Sequence, residues 1–201
     1  FGFNAGSALG ANTTAAVAWI NTLAATAAAM CAWLVVERLR DGHPTSLGAA
    51  SGIVAGLVGI TPAAGSVSPL GALLIGVLAG VACAYAVGLK NALGYDDSLD
   101  VVGVHLVGGL VGTLAIGFLA DPASPAGVAG LLYGGGPDQL WAQFLGAAAV
   151  LVYSFVATLA IGLAIHKTLG FRVSKKDELS GVDLSEHSEV GYDLSAVYYS
   201  A

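Results

Sequence analysis

The stretch VVGVHLVGGLVGTLAIGFLA, residues 101–120, decides the fold. It contains no Asp, Glu, Lys or Arg, and its one titratable side chain is His105. At the helical rise of 1.5 Å, about 20 residues cover the roughly 30 Å of a bilayer's hydrocarbon core. The run lacks the strict polar–apolar alternation of a barrel strand, and Gly, Ala and Leu outnumber aromatic residues. It reads as a membrane-spanning helix.

The same pattern recurs outward from it. Residues 1–36, 42–89, 122–137 and 139–166 are also free of charge, and 42–89 is long enough for two spans. Of the 201 residues, 56% are hydrophobic and 10% charged, where soluble domains carry about a quarter. The mean hydropathy of +0.80 agrees. A soluble globule is excluded. Five spans are expected, at 15–36, 47–64, 70–89, 101–120 and 141–165. The fold class is an all-α polytopic helical bundle in a lipid bilayer. Residues 1–13 are expected to hold the end of a preceding helix and an external turn, 14–166 the five spans, and 167–201 a tail. The Pro/Gly-rich run from Thr61 to Pro69 is expected to break the second span, because Pro lacks an amide donor.

Charge sets the orientation. All seven Lys and Arg lie in alternate connections: Arg38 and Arg40, then Lys90, then Lys167, Arg172, Lys175 and Lys176. Positive residues stay inside, so these connections and the C-terminus are expected to be cytoplasmic, in a multi-pass protein of the cell membrane. Half of the charges follow Ile165, so charge is segregated, and the net charge of −6 implies no nucleic-acid partner. Cys31 and Cys83 sit in apolar runs, and no metal-ligand spacing, disulfide framework or cofactor motif is present. Gly134–Gly136 lacks the Lys-Ser/Thr of a phosphate loop. The glycines at 48, 52 and 56, at 76 and 80, and at 108 and 112 instead have the four-residue spacing of close helix packing. The chain opens at Phe1 without Met, basic region or cleavage pattern, and reads as cut from a longer protein.

His105 is the most informative residue. A titratable group at membrane depth is costly and commonly functional. It shares a helix face with Gly108, Gly109 and Gly112, where a second helix can approach. Asp100 ends the preceding polar loop, either as the N-cap of the fourth span or as a functional acid. Ser51 lies mid-span, where a hydroxyl commonly bonds backbone. Ser51 with His105 resembles an intramembrane serine protease dyad, although Ala49 replaces the first Gly of the Gly-x-Ser-Gly motif. His43, His166 and His187 read as solvated or interfacial.

Further motifs carry a family resemblance. Phe1-Gly2-Phe3-Asn4-Ala5-Gly6-Ser7-Ala8 resembles the signature near the end of the sixth span of Amt-type ammonium transporters, the Amt/Mep/Rh family. Asp96-Asp97-Ser98-Leu99-Asp100, running on to His105, resembles their tenth-span motif. Ser46 to Ala63, with Ala50-Ser51-Gly52 and Gly59-Ile60-Thr61-Pro62-Ala63, resembles the eighth. Gly170-Phe171-Arg172-Val173, Gly181-Val182-Asp183, Glu186-His187 and Tyr192 resemble the family's tail. The match runs in order along nearly the whole chain.

The resemblance implies the last five helices of an eleven-helix inverted-repeat fold, and a homotrimer with one pore per subunit. It implies that His105 is the second of two pore histidines, Phe3 one of two stacked phenyl gates, and Ser7 a recruiter of ammonium at the external mouth. Asp100, Ser51 and Thr61 would support the pore. Gly170, Arg172, Gly181, Asp183 and Tyr192 would belong to a regulatory tail that docks a PII-type cytoplasmic protein, with Phe171, Val182 and Ser188 in place of the more usual Leu, Leu and Gly. The first histidine, the other phenylalanine and the recruiting tryptophan belong to the N-terminal half, and Trp19, Trp33 and Trp141 do not occupy that motif. Residues 1–201 alone are therefore expected not to conduct.

The implied function is ammonium/ammonia transport in nitrogen metabolism, not enzymatic catalysis. An ammonium ion entering hydrocarbon loses its hydration, whereas neutral ammonia carries no such charge penalty. Recruitment by aromatic faces and a hydroxyl, deprotonation, and passage along neutral imidazoles suit these residues. Imidazoles titrate in the range needed to carry the proton separately. An ammonium sensor is the alternative, with the protease behind it.

Overall fold

Asn12 turns its side-chain oxygen onto the Ala15 amide at 3.0 Å and so opens helix α1, Thr13–Arg40. Such a cap satisfies one of the amides that a helix start leaves free. Thr45 does the same for α2, Ser46–Ile60, and Ser68 for α3, Pro69–Ala86. A short α4, Leu89–Leu93, precedes a polar loop. Val101–Leu106 is then wound as a π-helix that leads into α5, Val107–Leu119. Helix α6 is Asp138–Thr168, followed by the short α7, Lys175–Ser180, and α8, Val182–His187. This computed structural model describes residues 1–191. Among the described residues, strand pairing is limited to one bridge, Val67 with Ala120.

Five helical stretches are long and apolar enough to cross a membrane: Thr13–Arg40, Ser46–Ala63, Pro69–Leu93, Val101–Leu119 and Asp138–Thr168. They expose large apolar side chains such as Leu73, Leu78, Val150 and Phe155. Such a surface is a liability in water and is solvated in lipid. The chain is a multi-pass helical membrane protein.

Three details differ from the sequence-based expectation. Helix α1 continues past Val36 to Arg40, because Arg38 and Arg40 suit the negative end of the helix dipole. The break at Thr61 is soft: α2 passes into one 3-10 turn, Thr61–Ala63, with Pro62 in its first positions, where the missing amide is not needed. Helix α6 outruns 141–165 at both ends, with Asp138 in its first turn and His166 and Lys167 in its last.

The chain forms two units, Phe1–Ala149 and the part from Val150 onward. The core of the first is built on α1. Its buried residues Ala18, Thr22, Ala25, Ala29, Trp33 and Val36 recur at helical spacing. Ala25 and Ala29 are small, and glycines of two helices close on them. A Cβ added at Gly76 of α3 would fall 2.8 Å from the Ala25 Cα, and one at Gly80 would fall 2.9 Å from the Ala29 Cα. From α2, a Cβ at Gly56 would meet the Thr26 Cα at 2.7 Å and one at Gly52 the Met30 Cα at 2.8 Å. Only glycine permits these approaches. In lipid, where apolar burial offers little net drive, such backbone contact and its dispersion energy hold helices together.

Polar groups fasten the helix ends. Asn21, fully buried, donates both Nδ2 hydrogens to the turn after α2, at 2.9 Å to the Ala64 carbonyl and 2.8 Å to that of Val67. The Glu37 carboxylate is only 9% exposed and accepts from Trp33 Nε1 at 3.3 Å, the Thr45 amide at 2.8 Å and Thr45 Oγ1 at 3.1 Å. A side chain at Gly48 would overlap it. Arg40 donates to the Ala84 carbonyl at 2.7 Å and grips Asp41 with two nitrogens at 2.9 and 2.8 Å. That guanidinium holds the Asp41 carboxyl below the usual carboxylate range.

Two outcomes are expected for the native protein in detergent or lipid. Gly80→Ala should lower unfolding stability by about 1–3 kcal/mol, as overpacking does, whereas Gly88→Ala, whose Cβ meets only the Tyr85 carbonyl oxygen at 3.4 Å, should stay within about 0.5 kcal/mol. Glu37→Ala should cost roughly 1–3 kcal/mol by stranding its donors, and Glu37→Gln, which keeps one acceptor, should cost less. Denaturant titration of each variant checks both.

Candidate functional site

The approach of α5 to α2 creates the site. A Cβ at Gly108 would lie 3.3 Å from both Cys83 Sγ and Val58 Cγ1, and one at Gly112 would lie 2.8 Å from the Gly59 carbonyl carbon. With α5 pressed this closely against the end of α2, an open cleft of about 420 Å³ remains between Val58, Thr61, Pro62, His105, Gly109 and Thr113. His105 is its one titratable lining residue. The imidazole is exposed toward it. Thr61 Oγ1 gives its hydrogen to the Leu57 carbonyl at 2.7 Å, which leaves its lone pairs free to accept. The lining thus combines an apolar surface with two hydroxyls and one ring that, when neutral, offers one donor and one acceptor. Such a surface suits a small polar neutral molecule better than a charged one.

His105 lies in the π-helical segment, whose start is anchored from a distance. The Asp97 carboxylate accepts from the amides of Val101 at 2.7 Å, Val102 at 2.9 Å and Gly103 at 3.3 Å. Asp100, one of two open readings for which was the helix N-cap, stands at the cap position but makes no side-chain cap. It adopts a left-handed conformation, φ 56°, and its carboxylate pairs with Lys90 Nζ at 2.7 Å. The capping carboxylate is therefore Asp97, because the left-handed turn at Asp100 points the chain back and leaves the amides facing the earlier acid.

The other candidate residues lie elsewhere. Phe3 is 79% exposed, and Ser7, also exposed, donates its hydroxyl to the Asn4 carbonyl at 2.9 Å. Their turn is fastened to α1 by the Phe1 and Trp19 rings, 4.9 Å apart, and by Asn4 Nδ2 donating to Thr22 Oγ1 at 3.0 Å. Neither Phe3 nor Ser7 lines the cleft. Ser51 is half-buried in α2 and is not among the residues that line the cleft. Among the described residues, no cluster of three His, Cys, Asp or Glu could hold a metal.

The tail residues sit in the second unit. Gly170 takes φ +83° as α6 ends, its amide bonding the Ile165 carbonyl at 3.1 Å. Arg172 grips Glu178 through two nitrogens, Nε lying 3.1 Å from Oε2. Gly181, at φ +98°, separates α7 from α8, and Asp183 occupies the first turn of α8, where the helix dipole favours an acid. Tyr192 lies outside the described residues.

Two residues that matter here, Asp97 and Glu37, were not singled out in the sequence. Their signals were faint: Asp97 is one of three acids in five residues, and Glu37 stands one helical turn after Trp33.

Comparison with known proteins identifies the group. The model of the Ammonium Transporter Family matches residues 1–192. The ammonium transporter of Mycobacterium tuberculosis is 60% identical over 201 residues, covering 97% of this chain and 42% of that protein. The crystal structure of Candida albicans Mep2 superimposes with a TM-score of 0.81 at 33% identity, over 99% of this chain and 44% of that one. A structure described as Sensor Amt Protein gives 0.82 at 29% identity, over 92% and 45%. The chain thus spans less than half the length of the relatives it matches. The matched relatives are named ammonium transporters, that is, transporters rather than enzymes. With the family model extending over almost its whole length, the chain belongs to the ammonium transporter family.

Proposed function

We propose that the chain forms one wall of a pore that passes ammonia across the cell membrane after ammonium gives up its proton. The observation that carries this reading is the position of His105, a lone titratable ring on an otherwise apolar cleft between α2 and α5. A neutral imidazole beside Thr61 replaces some of the hydrogen bonds that ammonia loses on leaving water. The apolar lining disfavours the ion and its counter-ions. Excluded from that path, the proton needs its own carrier, and an imidazole is suited to relay it.

The other residues take roles around this pore. Phe3 serves as a gate above it. Ser7 recruits the cation, since its hydrogen is already given to Asn4 and its oxygen remains free to accept. Asp100, Ser51 and Thr61 support the wall. The subunit works as a homotrimer with its C-terminus in the cytoplasm, on the side carrying all seven basic residues. Gly170, Arg172, Gly181, Asp183 and Tyr192 form a tail that a PII-type regulator docks against. Transport is favoured over sensing because both the family description and the 60%-identical relative name a transporter.

Two measurements test this. His105→Ala, in the protein as its cell makes it and reconstituted in liposomes, should lower ammonium flux on the order of tenfold or abolish selectivity against potassium. Flux and selectivity equal to the unaltered protein would contradict the reading. Removal of residues 167–201 should eliminate a cytoplasmic partner from pull-downs. Recovery of the same partners with and without those residues would remove the tail from the account.

A further inference from the structure

Building on the proposed role of His105, we infer that Asp97 is a positioning residue for the pore: its carboxylate sets the π-turn that aims His105 at the cleft. Three observations lead there.

First, the start of the helix is held at one point. Both oxygens of a carboxylate only 9% exposed accept from three successive amides, those of Val101, Val102 and Gly103. An ordinary N-cap serves one or two amides from the residue next to the helix. Here the acid lies four residues before Val101, and the chain reaches it through the left-handed Asp100. A non-glycine residue in that region is disfavoured and persists where its surroundings enforce it. Lys90 does so, bonding the Asp97 carbonyl at 3.1 Å and the Asp100 carboxylate at 2.7 Å.

Second, the register downstream is held independently. A Cβ at Gly103 would fall 2.8 Å from the Val87 Cα, and Gly108 and Gly112 are locked against Cys83, Val58 and Gly59. Sliding α5 by a residue would drive side chains into those backbones.

Third, the segment between the two anchors is not α-helical. It closes with the Val107 amide donating to the Val102 carbonyl, five residues back, and also to that of Val104. A π-turn absorbs one residue more than an α-turn, and such turns concentrate at functional sites. His105 lies inside it. Relaxing it to an α-helix would rotate the ring by roughly 100° about the axis relative to α5 and off the cleft. The acid and the ring do not touch; they are linked through the helix start.

The test is a double-mutant cycle in the reconstituted native protein, with Asp97→Asn made alone and on His105→Ala. The asparagine keeps the volume but offers one carbonyl to three amides. Flux and potassium selectivity are read together with the imidazole 15N resonance of His105, assigned by its loss in His105→Ala. Asp97→Asn should shift that resonance and lower flux on the order of tenfold, since small misplacements at a reactive group are expensive. On His105→Ala it should change flux less than about twofold. An unshifted resonance, or an equal loss of flux in both backgrounds, would overturn the inference and leave Asp97 a merely structural cap. If Asp97→Asn does not fold, Asp97→Glu, which keeps both oxygens one methylene further out, is read through the same cycle with the same deciding outcomes. Should His105→Ala alone conduct normally while Asp97→Asn still shifts the resonance, the positioning claim stands and the pore reading falls.

Discussion

The seating of α2 and α3 on α1 depends on how closely glycines can approach Ala25 and Ala29. The carbonyl oxygens of both alanines are met from two sides, by Gly56 and Gly76 at Ala25 and by Gly52 and Gly80 at Ala29. A methyl group at any of the four would land within 3 Å of a backbone atom. Helices in lipid lack the solvent-driven attraction of soluble cores, so surface that fits at backbone distance is what orders them. Once α2 and α3 are fixed on α1, the groove between them accepts Gly108 and Gly112 of α5. The cleft beside His105 is what that arrangement leaves open.

The charged residues of this unit act at the ends of the helices. Glu37 joins the end of α1 to the start of α2, and Arg40 joins it to the Ala84 carbonyl near the end of α3. Lys90, Asp97 and Asp100 fix where the π-turn begins. Each is hydrogen-bonded at a helix end, where the termini present unpaired amides and carbonyls. The interior of the helices carries no Asp, Glu, Lys or Arg and is packed mainly with small residues. This division explains how the cleft beside His105 can be nearly free of charge while the helices around it keep a fixed register.

Much of this was legible in the residues alone. Long uncharged runs marked the spans, because an unpaired charge in hydrocarbon is prohibitive, and four-residue glycine spacing marked the contact faces. His105 stood out for the same reason. The ends were harder. The helical turn after Ile60 continues through Pro62, since a proline in the first turn removes an amide that had no partner. Asp100 looked like the cap because it adjoins the helix, but a left-handed backbone at a non-glycine residue has no reliable sequence signal, and the cap passed to Asp97. The π-turn was invisible for a related reason: it follows from two anchors in distant parts of the chain, Lys90 on one side and Gly59 on the other. Thr61 was noted as a motif residue, yet its place on the same cleft as His105 depends on the packing of α2 against α5.

His105 sits in a π-turn and borders a largely apolar cleft between α2 and α5. The most direct measurement is a high-resolution cryo-electron microscopy map of the native protein in lipid nanodiscs. The expected map shows the Val107 amide bonded to the Val102 carbonyl, five residues back, with the imidazole bordering Val58, Thr61 and Gly109. A regular α-helix through Val101–Leu106, with the ring turned into the packed interior of the bundle, would contradict it.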